Sequence, residues 1–521
     1  MRFEWSNGWN SHFFTSKVNY MAVLVGRELE YMHTTENEWS QLKLDLLTLS
    51  LAMEVFMAIC LLSVFYAFFC IWKLILRRRD QCCYLLGYEC YKATEDRKLR
   101  MESCVNIILR NKNLGLEEYR YLLRSMVNSG LGSETYGPRN VIAGREECPS
   151  LSDAISEMDD VFSSTLDELF AKTGVSPSDI DILIVNVSLF SPVPSLTAWV
   201  INRYKMKEDI KAFNLSGMGC SASIVAIDLV KHLFKTNRNA YAVVVSTESI
   251  GPNWYSGKEQ PMMLTNCLYR SGGCSMLLTN NAALKHSALL KLKCILRTHL
   301  GSSNEAYGCS IQVEDDHGHR GFRLTKHIKA VATQALTINL QRLLPRILPL
   351  RELLRYTILT HPLCKVINPN IEAKKVRLNL KSGVDHFGIP PTERAVIDGL
   401  GRSLGLSDYD LEPARMALHR FGNTSTGGLW YVLGYMEAKK RLKKGNKIMM
   451  ISFGAGYECN SCVWEVMSNL KDENVWKDCI QSYPAKTTVN PLAEKCGWIN
   501  DERLSFVKFD DIKRNLQQQI L

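Results

Sequence analysis

The sequence predicts an α/β fold with both faces of its sheets covered, preceded by a membrane-spanning helix. Short, nearly uninterrupted apolar runs at 180–187 (IDILIVNV), 240–245 (AYAVVV) and 447–453 (KIMMISF) suit strands buried on both faces. Between them lie segments whose apolar residues recur three and four apart, the spacing of an amphipathic helix. One order of elements (strand, small-residue loop, helix, strand) occurs at 210–245 and again at 414–453, which predicts two similar halves.

Composition narrows the function classes. The chain has 521 residues, 46% hydrophobic and 22% charged, enough for a large core and unlike a disordered chain. A formal net charge of +10 favours anionic partners such as a membrane surface or a phosphorylated molecule. Lysine and arginine are dispersed without a nucleic-acid-binding motif, so no nucleic acid is expected. The 17 cysteines are scattered. Cys459 and Cys462 form a C-x-x-C with no second pair at zinc spacing, so no metal is expected. Many thiols without a disulfide framework point to a reducing compartment.

In chain order, residues 1–44 are polar and dotted with aromatics, and are expected to form a loosely ordered extension. Residues 55–72 (VFMAICLLSVFYAFFCIW) carry no charge over nearly the ~20 residues that a membrane helix needs. Lys73, Arg77, Arg78 and Arg79 follow this run, whereas Asp45 and Glu54 precede it. The basic flank is expected on the cytosolic side, with everything after residue 80. Helices are expected at 117–128, 151–173, 195–204, 330–344, 394–404 and 429–442. Helix 151–173 should bury Ile155, Met158, Phe162, Leu166 and Leu169. Further strands are expected at 269–279, 290–299, 414–419 and 462–466. Pro345 and Pro349 should break the basic, leucine-rich run at 342–355, which suits either a membrane surface or an ordinary helix end. The organisation is an extension (1–44), an anchor with its basic flank (45–78), a first half (79–280), a second half (281–466) and a polar peripheral tail (467–521).

The chemistry centres on residues 214–234, NLSGMGCSASIVAIDLVKHLF. Small residues surround Cys220 at the start of a helix, where the unpaired N–H groups and the dipole favour a thiolate. On this stretch alone two readings stand, a nucleophile and a buried structural cysteine. Asn423 lies in the matching loop, HRFGNTSTGG. Its amide can donate to a developing oxyanion, and it reads equally as a turn asparagine. His299, His386 and His419 are candidate site residues that also read as core histidines. No phosphate-cradling loop is complete: 251–258 (GPNWYSGK) lacks the final Ser or Thr, and FGAG at 453–456 is too short. No cofactor is expected.

A series of longer stretches, in order, carries a resemblance. They include SGLGSETYGPR, DIDILIVNVS, INRYKMKEDIKAFNLSGMGCSAS, STESIGPNWYSGK, NCLYRSGGCSMLLTN, RTHLGSSNEAYGC, LHRFGNTSTGGLWYVLGYMEAKKRLKKGNKI and SFGAGYECNSCVWEV. Together they resemble the plant very-long-chain 3-ketoacyl-CoA synthases, the fatty acid elongase condensing enzymes, in the branch with a single membrane span. The resemblance implies a thiolase-like, layered αβαβα fold of two similar halves behind an N-terminal transmembrane helix. It implies acyl-CoA and malonyl-CoA as substrates and an endoplasmic reticulum membrane location with a cytosolic catalytic region. It also implies homo- or hetero-dimers with family members, and other elongase subunits as possible partners. By the family's GCSA motif, Cys220 takes the acyl chain. By its HRFGN motif, Asn423 binds the malonyl thioester together with a histidine. The family's other retained histidines match His299, His386 and His419.

The family's pattern H-F-C-I-H-x-G-G-[RK]-A-[VI]-I reads HFGIPPTERAVI here, from His386 to Ile397. The flanks fix the register, so the catalytic histidine position is held by Pro390. Two readings follow: a condensing enzyme, or a catalytically impaired member acting as a regulatory partner of active synthases.

Overall fold

The computed structural model describes residues 36–79, 82–360, 377–487, 489–490 and 492–500. The chain forms two compact units, one ending at Gln81 and one beginning at Cys82. The first is built on helix α1 (Glu36–Arg79). It contains Met53–Lys73, the one stretch among the described helices long and apolar enough to cross a membrane. Leu61, Leu62, Phe65 and Phe68 on it are exposed, and lipid would remove them from water. Residues 36–44 are already helical, where a loose extension was expected; residues 1–35 lie outside the described residues.

The second unit is organised on nine strands: β1 (Tyr84–Cys90), β2 (Ile180–Asn186), β3 (Lys211–Leu215), β4 (Tyr241–Thr247), β5 (Gly273–Thr279), β6 (Leu290–His299), β7 (His386–Gly388), β8 (Lys447–Gly454) and β9 (Glu458–Val466). Their order is β7-β8-β9-β6-β1-β5-β4-β2-β3. β2 runs parallel to β3 and β4, and β7 parallel to β8; the other neighbours are antiparallel. The strands of the two halves meet where Tyr84 and Leu85 pair with Lys291 and Leu290.

Helices complete the layers. α2 (Leu151–Thr173) covers β1 and β5, and α3 (Ala222–Leu233) touches β2 and β4 of one half and β6 and β9 of the other. α4 (Ile328–Ile347) covers β6 and β9. After α5 (Asp408–Phe421), α6 (Gly428–Ala438) lies against β1 and β7. The result is an αβαβα arrangement with α3 and α6 in its central layer. α6 is buried along its whole length, as that position requires.

Local sequence accounts for most element ends. Ser150 caps α2 by accepting from the Asp153 N–H at 3.1 Å, Asp153 reciprocates, and Gly174 ends the helix with φ +67°. Its buried face holds Met158, Phe162, Leu166 and Leu169, while Ile155 is 40% exposed. α4 runs through Pro345, contrary to expectation, and stops at Leu348, because the following Pro349 disfavours helical backbone there.

Two further expectations are corrected. Residues 414–419, expected as a strand, lie inside α5. A Ser407–Asp410 capping box starts that helix, and Leu411, Ala414, Leu418 and Phe421 are buried at helical spacing. The C-terminal segment is not peripheral up to residue 500. Trp476 is fully buried, with the rings of Phe421, Tyr435 and Tyr483 at 4.9, 5.0 and 5.3 Å, and its Nε1–H donates to the Tyr431 carbonyl at 3.0 Å. Leu492, Cys496 and Ile499 pack with Tyr119, Leu122 and Leu123. Removing the Trp476 ring should therefore cost about 3–5 kcal/mol of stability, in the range of large-to-small core substitutions. Thermal unfolding of Trp476→Ala in detergent should show a clearly lowered midpoint, and an unchanged midpoint would mean that the segment is not part of the core.

Candidate active site

Cys220 stands in the tight turn Gly219–Ser221 that leads into α3. Gly219 has φ +65°, and a Cβ there would lie 3.1 Å from the Ala455 nitrogen, so glycine is the residue that fits. A Cβ on Gly454 would meet Ser221 Oγ at 2.2 Å. These two glycines let the end of β8 close on the turn. There the Ala455 N–H donates to the Met218 carbonyl at 3.0 Å and Ser452 Oγ donates to the Cys220 carbonyl at 2.8 Å. Ser221 Oγ donates to the buried Glu458 carboxylate, and the Gly219 N–H donates to Ser188 Oγ at 2.8 Å. The thiol's backbone is thus fixed by groups from both halves.

Cys220 Sγ lies 3.6 Å from Ser425 Oγ and 3.8 Å from the Tyr269 hydroxyl. Ser425 holds a left-handed backbone, φ +51°, which costs a side-chain-bearing residue energy and marks a position fixed by its surroundings. Its N–H donates to Asn423 Oδ1 at 3.0 Å, which holds that amide by its oxygen end. Asn423 is 4% exposed and its backbone pairs with Tyr269: the Asn423 N–H donates to Leu268 O at 3.2 Å and the Arg270 N–H to Asn423 O at 2.9 Å.

Tyr269, Ser425 and Gly219 line a cavity of about 220 Å³. Glu248 also lines it, and the hairpin formed by Ser310–Glu314 and Arg320–Leu324 contributes Ile311 and Phe322. An apolar wall beside a thiol with two hydroxyls suits an acyl thioester.

The electrostatics differ from the sequence expectation. Burial pushes the Cys220 thiol above its ordinary value, hydrogen bonds from Ser425 and Tyr269 pull it back in part, and Glu248 pushes it up again. Desolvation outweighs the pull expected from the helix start. Burial raises the Glu248 carboxyl to about 7, against three backbone N–H donors, those of Leu189 (2.8 Å), Ser249 (3.2 Å) and Ser188 (3.3 Å).

The sequence-selected residues divide. Cys220 and Asn423 come together through Ser425 and Tyr269. They are not equivalent in the two halves: Cys220 precedes its helix by two residues and Asn423 by five, so Thr426 matches Cys220. His299 is exposed at the end of β6, its Nδ1 accepting from the Gly301 N–H at 2.9 Å, and it neighbours Gly456 of the cavity wall. His386 begins β7 with Nε2 3.3 Å from Asn446 Oδ1, and burial lowers its pKa. His419 Nδ1 is 2.9 Å from the Tyr483 hydroxyl, and burial lowers its pKa too, so it serves the docked C-terminal segment. None of the three is among the residues that line the cavity, and neither are Cys220 and Asn423, which adjoin its wall through Tyr269 and Ser425. Pro390 and Pro391 are buried, and a Cβ on Gly428 would touch the Pro391 ring at 3.0 Å, so the diproline packs on the start of α6 beside the Asn423–Ser425 loop.

Sequence reasoning missed Tyr269, Ser425 and Glu248. Each sits within a stretch already singled out (CLYRSGG, NTSTGG, STES), but nothing in spacing says that these loops meet. Glu248, an acid directly after an apolar strand, carried the clearest signal.

Comparison with known proteins now bears on this geometry. Residues 75–364 match the family of FAE1/Type III polyketide synthase-like proteins, and residues 379–466 match the C-terminal domain of 3-oxoacyl-[acyl-carrier-protein] synthase III. The chain is 58% identical to 3-ketoacyl-CoA synthase 19 of Arabidopsis thaliana over 88% of its length and 100% of the relative's. Against 3-ketoacyl-CoA synthase 12 and 3-ketoacyl-CoA synthase 3 of the same plant it is 51% and 49% identical, over 86% of this chain and 97% of each relative. In fold it is similar to PKS-I of the brown alga Ectocarpus siliculosus (TM-score 0.57, 15% identity, 74% of this chain and 98% of that one). It is equally similar to the C-terminal type III polyketide synthase domain of Steely1 from Dictyostelium (TM-score 0.58, 14% identity, 74% and 99%). These relatives and the thiolase-like fold define a condensing acyltransferase. Within that class, the chain belongs to the FAE1/Type III polyketide synthase-like family, and by family it is an enzyme of fatty acid elongation. The regulatory-partner reading has no support over the condensing one.

A thiol raised by burial stays protonated at neutral pH. Iodoacetamide labelling of Cys220, followed by peptide mass spectrometry, should accelerate about tenfold per pH unit with no plateau below a pH of about 9. Ser425→Ala should slow it further. A plateau near neutrality would contradict the burial argument.

Proposed function

We propose that this chain is a fatty acid elongase condensing enzyme: acyl-CoA and malonyl-CoA give 3-ketoacyl-CoA, CoA and carbon dioxide through an acyl-Cys220 intermediate. The observation that carries the reading is the Cys220 thiol, fixed by groups from both halves at an apolar-walled cavity. The Cys220 thiol gives up its proton, the thiolate attacks the acyl-CoA carbonyl, and CoA leaves as a thiolate that takes up a proton in its place. Malonyl-CoA then binds. Its C–C bond to the carboxylate breaks, carbon dioxide departs, and the electron pair moves onto the thioester oxygen as an enolate. The enolate carbon attacks the acyl carbonyl, and the Cys220 thiolate leaves. The Asn423 amide, oriented by Ser425, donates to the enolate oxygen.

On this reading Pro390 stands at the family's histidine position and slows the malonyl step. It has no side-chain donor, and losing one donor to an oxyanion typically costs about 100- to 1,000-fold. His299, His386 and His419 take supporting places around the two halves, 79–280 and 281–466. Helix α1 anchors the chain in the endoplasmic reticulum membrane, with its basic end and the catalytic region in the cytosol. Dimers with family members and contact with other elongase subunits complete the proposal.

Membranes carrying the chain should release carbon dioxide from carboxyl-labelled malonyl-CoA when acyl-CoA is present, and Cys220→Ala should abolish acyl-dependent release. Pro390→His should raise the rate by about ten- to a thousandfold. Release that is independent of Cys220, or absent both before and after the proline is replaced, would sink the condensing reading.

A further inference from the structure

Decarboxylation of a malonyl thioester puts negative charge on one oxygen, and a low-dielectric cavity must supply donors to it. No histidine, lysine or arginine is among the described residues that line this cavity, so its donors are hydroxyls and amides. Two hydroxyls reach the reacting sulfur, those of Ser425 at 3.6 Å and Tyr269 at 3.8 Å. The enolate carbon must approach an acyl carbon bonded to Sγ, so the enolate oxygen comes to rest within a few ångströms of both.

Acidity and direction separate the two. A phenol, with an ordinary pKa of about 10, is a much stronger donor to an oxyanion than an alcohol. Tyr269 is also the backbone partner of Asn423 across an isolated bridge. Ser425, whose hydroxyl reaches the same sulfur, holds the Asn423 amide oxygen with its N–H, so the Tyr269 and Asn423 loops converge at Sγ. Burial, with the neighbouring thiol, keeps the phenol protonated and hence a donor across the working pH range.

We propose that the Tyr269 hydroxyl is a catalytic hydrogen-bond donor which, paired with the Asn423 amide, holds the thioester oxygen of malonyl-CoA while its carboxylate departs. The inference rests on the condensing reading and deepens it. The phenol keeps its proton throughout: charge builds on the thioester oxygen as carbon dioxide leaves, and returns to carbon as the new C–C bond forms. Tyr269 thus fills the electrophilic role that the side chain of Pro390 cannot.

The test uses the full-length chain in detergent, carboxyl-labelled malonyl-CoA and a saturated acyl-CoA. Tyr269→Phe should lower kcat for carbon dioxide release by about 100- to 1,000-fold, with KM for malonyl-CoA little changed. Transfer of a labelled acyl chain to Cys220 should fall far less, because that step loses the phenol's hydrogen bond to the thiol but no donor to the malonyl oxygen. In a Pro390→His background the same substitution should cost much less. 3-Fluorotyrosine at position 269 changes acidity without changing shape, and should alter carbon dioxide release but not the thermal midpoint. Unchanged release by Tyr269→Phe would overturn the proposal, as would equal loss of acyl transfer and of carbon dioxide release. If Cys220 accepts the acyl group yet neither the unmodified chain nor Pro390→His releases carbon dioxide, the condensing reading itself falls and the tyrosine's role with it.

Discussion

Among the hydrogen bonds that tie the two halves together where the chemistry sits, one caps the helix behind Cys220. The Ser223 N–H, in the first turn of α3, donates to Thr426 Oγ1 at 2.8 Å. First-turn N–H groups have no partner within their own helix, and here the cap comes from the other half of the molecule. Thr426 Oγ1 in turn donates to Asn186 Oδ1 at 3.0 Å, and Asn186 Nδ2 donates to Ser246 Oγ at 2.7 Å. All four residues are buried, so each link is made away from water, where breaking one leaves a polar group unsatisfied. The Cys220 turn and the Asn423–Ser425 loop therefore hold a fixed distance. The cavity, the strained Ser425 and the two hydroxyls at Sγ all follow from that distance.

This arrangement explains why small residues crowd the middle of the molecule. A Cβ on Gly427 would lie 3.1 Å from Gly273 Cα, and one on Gly272 would strike Thr424 at 2.3 Å. The GMGCSAS and FGNTSTGG stretches are thus packing constraints before they are chemical ones. The same closeness withdraws water from the thiol, which is why burial dominates its ionisation. Hydrogen bonds from Ser425 and Tyr269 recover part of what desolvation takes away.

Much of this was legible in the sequence, and the failures have physical reasons. The strands at 180–187 and 447–453 stand out because a buried strand needs apolar residues on both faces. The membrane stretch stands out because lipid tolerates no charge. The short run at 414–419 misled because six residues, four of them apolar, fit a strand or a buried helix equally well, and the capping box at Ser407 decides between them. The C-terminal segment misled because its polar composition hides a few large anchors; Trp476 alone fills a pocket between Phe421, Tyr435 and Tyr483. At the site, Cys220 and Asn423 announce themselves by local motif. Tyr269 and Glu248 are set by which loops meet, and a linear sequence does not state that. His419 is a motif histidine whose ring meets the Tyr483 hydroxyl of the docked C-terminal segment, a contact that its motif does not state.

The central claim is that Cys220 is the acyl-accepting thiol. Incubating the full-length chain with a saturated acyl-CoA, in the absence of malonyl-CoA, and mapping the adduct by peptide mass spectrometry tests it most directly. The account predicts one hydroxylamine-sensitive acyl group on the peptide carrying Cys220. An acyl group on another residue, with Cys220 unmodified, would contradict it.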